Sequence, residues 1–190
     1  MSAAAALPVA WLVARAAGLV AFGILTLSTW LGLGMSTRLL GPKFQPRLLG
    51  WHRTLAWTGL AMVGLHMGAL LLDPVMHFGP AAVLVPFASP FRPAAVAAGV
   101  VAGWLMLMLT LSVRMRRWIG QRGWRRLHYA SFGAFVLALI HALASGTDTA
   151  GVAGPILALV AGGPVLWLVL VRMLSPGTRR TPAARPSPTT

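Results

Sequence analysis

The sequence predicts an all-α integral membrane protein, a bundle of about five transmembrane helices with the N-terminus outside and the C-terminus cytoplasmic. Three observations carry this. Hydrophobic residues make up 57% of the 190-residue chain and charged residues only 9%. The apolar residues fall into five long blocks, roughly 8–34, 51–72, 94–113, 128–145 and 152–174. Each is close to the ~20 residues that cross a ~30 Å hydrocarbon core at ~1.5 Å rise per residue. Finally, positive charge alternates from one connection to the next. The short alternating segments of a membrane barrel are absent.

The first block holds Gly18, Gly23, Gly32 and Gly34 and no histidine, and reads as a packing helix. The segment before it, MSAAAALPVAWLVARAAG, lacks the basic start of a signal peptide, so the block is expected to stay as a helix. Arg15 lies inside it and has to snorkel towards the outer face. The second block runs from His52 through His66 to Asp73. Residues 74–93 are too broken by proline to span, and read as an outer loop with a short amphipathic piece at the interface. After the third block, RMRRWIGQRGWRRLH mixes Arg with Trp118 and Trp124, as expected of a cytoplasmic segment near anionic lipid. The fourth block runs from His128 through His141, with Asp148 seven residues on, as Asp73 is seven beyond His66. The two blocks read as weak counterparts. Residues 1–174 form one membrane domain, and 175–190 (SPGTRRTPAARPSPTT) read as a disordered cytoplasmic tail.

A net charge of +14 raises the question of nucleic acid, and its placement answers it. Arg38, Lys43, Arg47 and Arg53 lie between blocks one and two, and six arginines (114, 116, 117, 122, 125, 126) between three and four. Arg172, Arg179, Arg180 and Arg185 follow block five, whereas the remaining connections carry Arg92 and both acids. This is the positive-inside pattern of a multi-pass protein of the cell membrane in contact with lipid, and no nucleic-acid partner is expected. Cysteine is absent, which excludes disulfides, iron–sulfur clusters, thiolate-ligated haem and covalent C-x-x-C-H attachment. Without glutamate, and with both aspartates at helix ends, carboxylate proton relays and H-E-x-x-H chemistry are excluded too.

Four of the five histidines sit in blocks two and four, one near each end of each. A histidine in hydrocarbon is costly unless satisfied, so the four are functional candidates. His52 and His66 are 14 residues apart, about 21 Å along a helix and within about 40° of one face. His128 and His141 are 13 apart, a rise of about 20 Å, but an ideal helix leaves them about 140° apart. A tilt, a kink or different cofactor orientations must absorb that angle. Two reversals of direction, either side of block three, separate the blocks, so they run in the same direction. His52 is then level with His128, and His66 with His141. Two stacked pairs can each grip a planar cofactor from both sides, and two axial imidazoles suit a haem b that carries electrons without an open position. Two haems are expected, with the four histidines as axial iron ligands.

Around them, Gly64, Gly68, Ala138, Ala142 and Ala144 permit close approach of a flat macrocycle or, equally, of a neighbouring helix. Arg47, Arg53, Arg125 and Arg126 are placed to bind propionates or simply to fix topology, with Arg53 and Arg125 the foremost candidates. Trp51 and Trp124 read as interfacial anchors rather than electron stepping-stones. His77, in the outer loop, is left outside the candidate site.

LLGWHRTLAWTGLAMVGLHMGALLLD and WRRLHYASFGAFVLALIHALASGTD resemble the two haem-binding helices of the ferric reductase-like transmembrane domain, even in the uneven spacing of 14 and 13. That family includes the membrane cores of NADPH oxidases and ferric reductases and the haem subunit of the periplasmic methionine sulfoxide reductase system. The resemblance covers roughly residues 10–174. It implies an inner haem on His52 and His128, an outer one on His66 and His141, and transfer of electrons across the bilayer. Larger members usually have six helices where five are counted here. The sequence has no flavin domain and no G-x-G-x-x-G motif, so a separate donor is expected, a flavoprotein reductase or a quinol. The acceptor would be ferric iron or an outer redox protein. The alternative is a metal-ion transporter using the same histidines, although no carboxylate lies at mid-membrane.

Overall fold

The computed structural model describes residues 9–37, 41–74, 77–146 and 151–174. Arg38, Asp148 and the tail 175–190, with Arg179, Arg180 and Arg185, lie outside the described residues. The regular structure is helical throughout: α1 (Val9–Thr37), a 3₁₀ turn (Pro42–Phe44), α2 (Gln45–Leu71), α3 (Pro80–Leu84), α4 (Pro93–His128), α5 (Ala130–Ser145) and α6 (Ala153–Leu174). Four continuous helical stretches, 9–37, 42–71, 93–145 and 153–174, are long and apolar enough to cross a membrane.

The third of these stretches folds back on itself. Gly120 has φ +70° and ψ 168°, a conformation open to glycine, and breaks α4 there. On either side, the indole of Trp124 returns to Ser112 and the ring of His141 to the carbonyl of Ala95. The stretch is therefore two antiparallel arms, corresponding to sequence blocks three and four. The arginine-rich connection between them, read as a surface segment, is itself helical on both sides of Gly120.

Proline sets the helix starts. Pro42, Pro46, Pro80 and Pro93 each stand at the first or second helical position, and none of these starts has a side-chain cap. Proline's fixed φ suits that position, and its missing N–H has no intrahelical partner to lose. This is why α2 begins at Gln45, a turn and a half before its apolar block. At the start of α4, Arg92 adopts a left-handed φ of 40° and its guanidinium donates to the Ala144 carbonyl near the end of α5. A cation there meets carbonyls that the helix leaves unpaired. Arg15 stacks over Trp11, 4.6 Å from the ring centre and one turn towards the N-terminal end of α1, the direction its snorkelling requires.

Large apolar side chains cover the outside. On α6, Leu159, Leu166 and Trp167 are all more than half exposed, a surface suited to lipid and costly in water. Inside, Phe22 of α1 stacks on Phe135 of α5 with ring centres 6.2 Å apart, joined by Leu33 and by Ala161, Val165 and Leu168 of α6. Thr26, Thr29 and Thr110 donate their hydroxyls to carbonyls four residues back, which satisfies them without a partner helix. In the 74–93 segment, Phe78, Ala82 and Val83 pack on Met67, Leu70 and Phe91, and α3 is the short helical piece.

α1 lies along α2 and α4 along α5, with α1 and α6 closing the bundle. α2 and α5 stand apart. Among the described residues, no Cα of one comes within 8 Å of a Cα of the other. Directly packed helices have axes only ~8–10 Å apart.

Candidate functional site

Four imidazoles meet in two pairs, His66 with His141 across that gap and His52 with His128 at the end of α4. The ring centres of His52 and His128 are 6.1 Å apart, with planes at 71°. Those of His66 and His141 are 6.3 Å apart, at 75°. An imidazole–metal bond of about 2.0–2.1 Å, plus roughly 1.1 Å from nitrogen to ring centre, sets two imidazoles on opposite sides of one metal ion about 6.3 Å apart. Both pairs have that separation.

The rings are fixed by backbone. Nδ1–H of His66 donates to the Ala14 carbonyl at 2.7 Å, and that of His141 to the Ala95 carbonyl at 2.9 Å. Nδ1–H of His52 donates to the Ser28 carbonyl at 3.0 Å, with Ser28 Oγ at the same distance. A carbonyl only accepts, so each of these Nδ1 atoms carries the proton and each Nε2 is the bare nitrogen, the one available to a metal. Among the described residues, no hydrogen bond reaches Nε2 of any of the four.

Each of these carbonyls is followed four residues later by a glycine against the same ring. A Cβ on Gly18 would lie 2.9 Å from His66 Nδ1, one on Gly99 2.5 Å from His141 Nδ1, and one on Gly32 3.6 Å from His52 Cε1. The absent side chain is what lets the supporting helix come near enough for its carbonyl to be used. Ser28, Gly18, Gly32 and Gly99 are therefore part of the site, although from sequence the first block is a packing helix. The spacing carries the missed clue. Gly18 and Gly32 are 14 residues apart, as are His52 and His66 on the antiparallel partner.

His128 is the exception. Its Nδ1 is buried without a hydrogen-bond partner. Trp124, expected as an interfacial anchor, instead stacks on it with ring centres 4.9 Å apart and planes at 27°. Trp51 is 64% exposed, as an anchor should be. His128 and His141 both reach their partners because the helix between them is interrupted. Tyr129 N–H donates to Arg126 and Phe132 N–H to Tyr129, bonds that span three residues and wind the chain more tightly than an α-helix.

Gly64 and Gly68, flanking His66, have no protein atom within 4 Å of where a Cβ would stand. Arg53 joins Arg114, Arg116, Arg117 and Gln121 around an open cleft of about 400 Å³, which His52 does not line. Arg125 and Arg47 are exposed at the same end, and Arg125 is not part of that cleft. Among the described residues, no three His, Asp or Glu side chains gather around one point. The four histidines meet two by two instead.

Compared with protein-family models, with curated proteins and with solved structures, the chain matches none.

Proposed function

We propose that the chain is a b-type di-haem cytochrome that passes electrons across a bilayer, the membrane core of a ferric reductase-like oxidoreductase. The observation that carries the reading is the separation of the two imidazole pairs, 6.1 and 6.3 Å, which leaves room for each pair to hold one metal ion between its rings. The residues fit the group. Three bare Nε2 atoms are presented by backbone-held rings, α2 and α5 stand apart at the His66–His141 pair, and Gly64 and Gly68 leave a flat face beside His66. Haem held there would supply one-electron exchange at an iron with no open coordination position.

The chain's own residues then divide the work. His52 and His128 form one site and His66 and His141 the other, about 21 Å apart along α2. Arg53 and Arg125 neutralise propionates at the arginine-rich end. That end is cytoplasmic by the positive-inside rule, which gives five crossings with the N-terminus outside. Its exposed arginines suit an acidic flavoprotein as electron donor, with a quinol the other source. The outer pair delivers to ferric iron or to an outer redox protein.

The test is a visible spectrum of the detergent-purified protein, oxidised and dithionite-reduced, with haem quantified per chain. Two low-spin, six-coordinate haems per chain are expected. A colourless protein made with ample haem would sink the reading and bring metal-ion transport forward.

A further inference from the structure

We infer that Trp124, held in place by Ser112, is the positioning residue for the His128 imidazole, so that the His52–His128 site depends on a stacked ring where the other site depends on hydrogen bonds. This rests on the di-haem reading above.

The difference between the ligands is specific. His52, His66 and His141 each spend Nδ1–H on a carbonyl of a neighbouring helix, with a glycine four residues further on against the ring. Such a bond fixes both the tautomer and the rotation of the imidazole. His128 has neither. Its Nδ1 is buried and unpartnered, so no hydrogen bond sets the angle of its ring. What it has is the face of Trp124, nearly parallel and 4.9 Å away. Offset stacking at this separation is a favoured aromatic geometry.

Trp124 is itself anchored. Its Nε1–H donates to Ser112 Oγ at 3.2 Å, and Ser112 donates onward to the Leu109 carbonyl at 2.7 Å. Ser112 is 0% exposed. The Arg116 guanidinium lies 5.8 Å from the indole centre, within cation–π range. Along α4, Ser112 follows Gly99 by 13 residues, the same interval that separates His128 from His141 on the antiparallel arm. Where the other arm position has a glycine and a carbonyl, this one has a serine that holds an indole. An interfacial anchor has no need of this arrangement. Trp118, 72% exposed and two residues before the break at Gly120, shows the ordinary form.

An imidazole held only by stacking swings away when the stack is removed, and leaves one coordination position open. A reduced haem with an open position binds carbon monoxide, whereas one with two imidazoles does not. The experiment therefore measures carbon monoxide binding to the dithionite-reduced, full-length protein, with haem counted per chain. Wild type is expected to bind none. Trp124→Leu should bind carbon monoxide at about one of its two haems, with the other still low-spin. Trp124→Phe, which keeps an aromatic face, should restore the six-coordinate spectrum. Trp124→Leu with two low-spin haems and no carbon monoxide binding overturns the inference and leaves the di-haem reading intact. Wild type without haem overturns both. If Trp124→Leu is not recovered from the membrane, Ser112→Ala decides: carbon monoxide binding above wild type supports the inference, and its absence defeats it.

Discussion

A Cβ on Gly18 would stand 2.9 Å from Nδ1 of His66, closer than real Cβ atoms come to such a neighbour. Gly18 on α1 therefore sets where an imidazole on α2 can sit. The same holds more strongly for Gly99 and His141, at 2.5 Å, and weakly for Gly32 and His52, at 3.6 Å. On the di-haem reading, Gly18→Ala and Gly99→Ala should each displace an imidazole of the His66–His141 pair and take haem content from two per chain towards one. Gly32→Ala should keep both. Haem quantification of the three purified variants checks the order; equal loss from all three would refute it.

Gly64→Ala and Gly68→Ala make a different comparison. Their Cβ atoms meet no protein atom within 4 Å, so the polypeptide alone has no reason to object. Alanine is also the better helix former, by about 0.8–1 kcal/mol. Haem-free protein should thus be unchanged or slightly more heat-resistant, while on the proposed reading haem retention falls, since a macrocycle would lie against that face. Unaltered haem retention in both variants places the macrocycle elsewhere.

Single substitutions of the histidines should remove one haem at a time. His52→Ala and His128→Ala empty one site, and His66→Ala and His141→Ala the other, each leaving one low-spin haem. His77→Ala, in the connection between α2 and α3, should leave two. Spectra of the five variants are the measurement, and loss of both haems from every variant would mean that the sites are not independent.

Arg92→Gln removes the donation to the Ala144 carbonyl that ties the start of α4 to the end of α5. At this exposed position a cation at a helix C-terminus contributes about 0.3–1 kcal/mol. A fall of a few degrees in the thermal transition is expected, with haem content unaltered. A larger effect would show that Ala95 and His141, nearby on the same two helices, move with it.

Much of this architecture is legible in the sequence because a bilayer enforces it. Apolar blocks and alternating arginines locate the helices, and histidines spaced by 14 and 13 mark two levels. What supports the histidines is harder to read, since Gly18 and Gly32 look like any packing glycines until paired with His66 and His52 on an antiparallel neighbour. The angular misfit of His128 and His141 was visible as a problem, but its solution, the tight turn at Tyr129, depends on backbone bonds that no residue type announces. The role of Trp124 was hidden for a related reason. A tryptophan beside arginines has the composition of an interface; its stack on His128 is local, one turn along the same arm, and the fold-back at Gly120 brings Ser112 to its indole.

The 14-residue interval between His52 and His66 also has an electrical meaning. A rise of about 21 Å is some two thirds of a hydrocarbon core about 30 Å thick. On the proposed reading, one charge passed between the two levels crosses most of the membrane potential, at about 1.6 kcal/mol per 100 mV. The protein would then act as a current source, its turnover slowing or quickening with voltage, and every electron exported would call for a compensating ion.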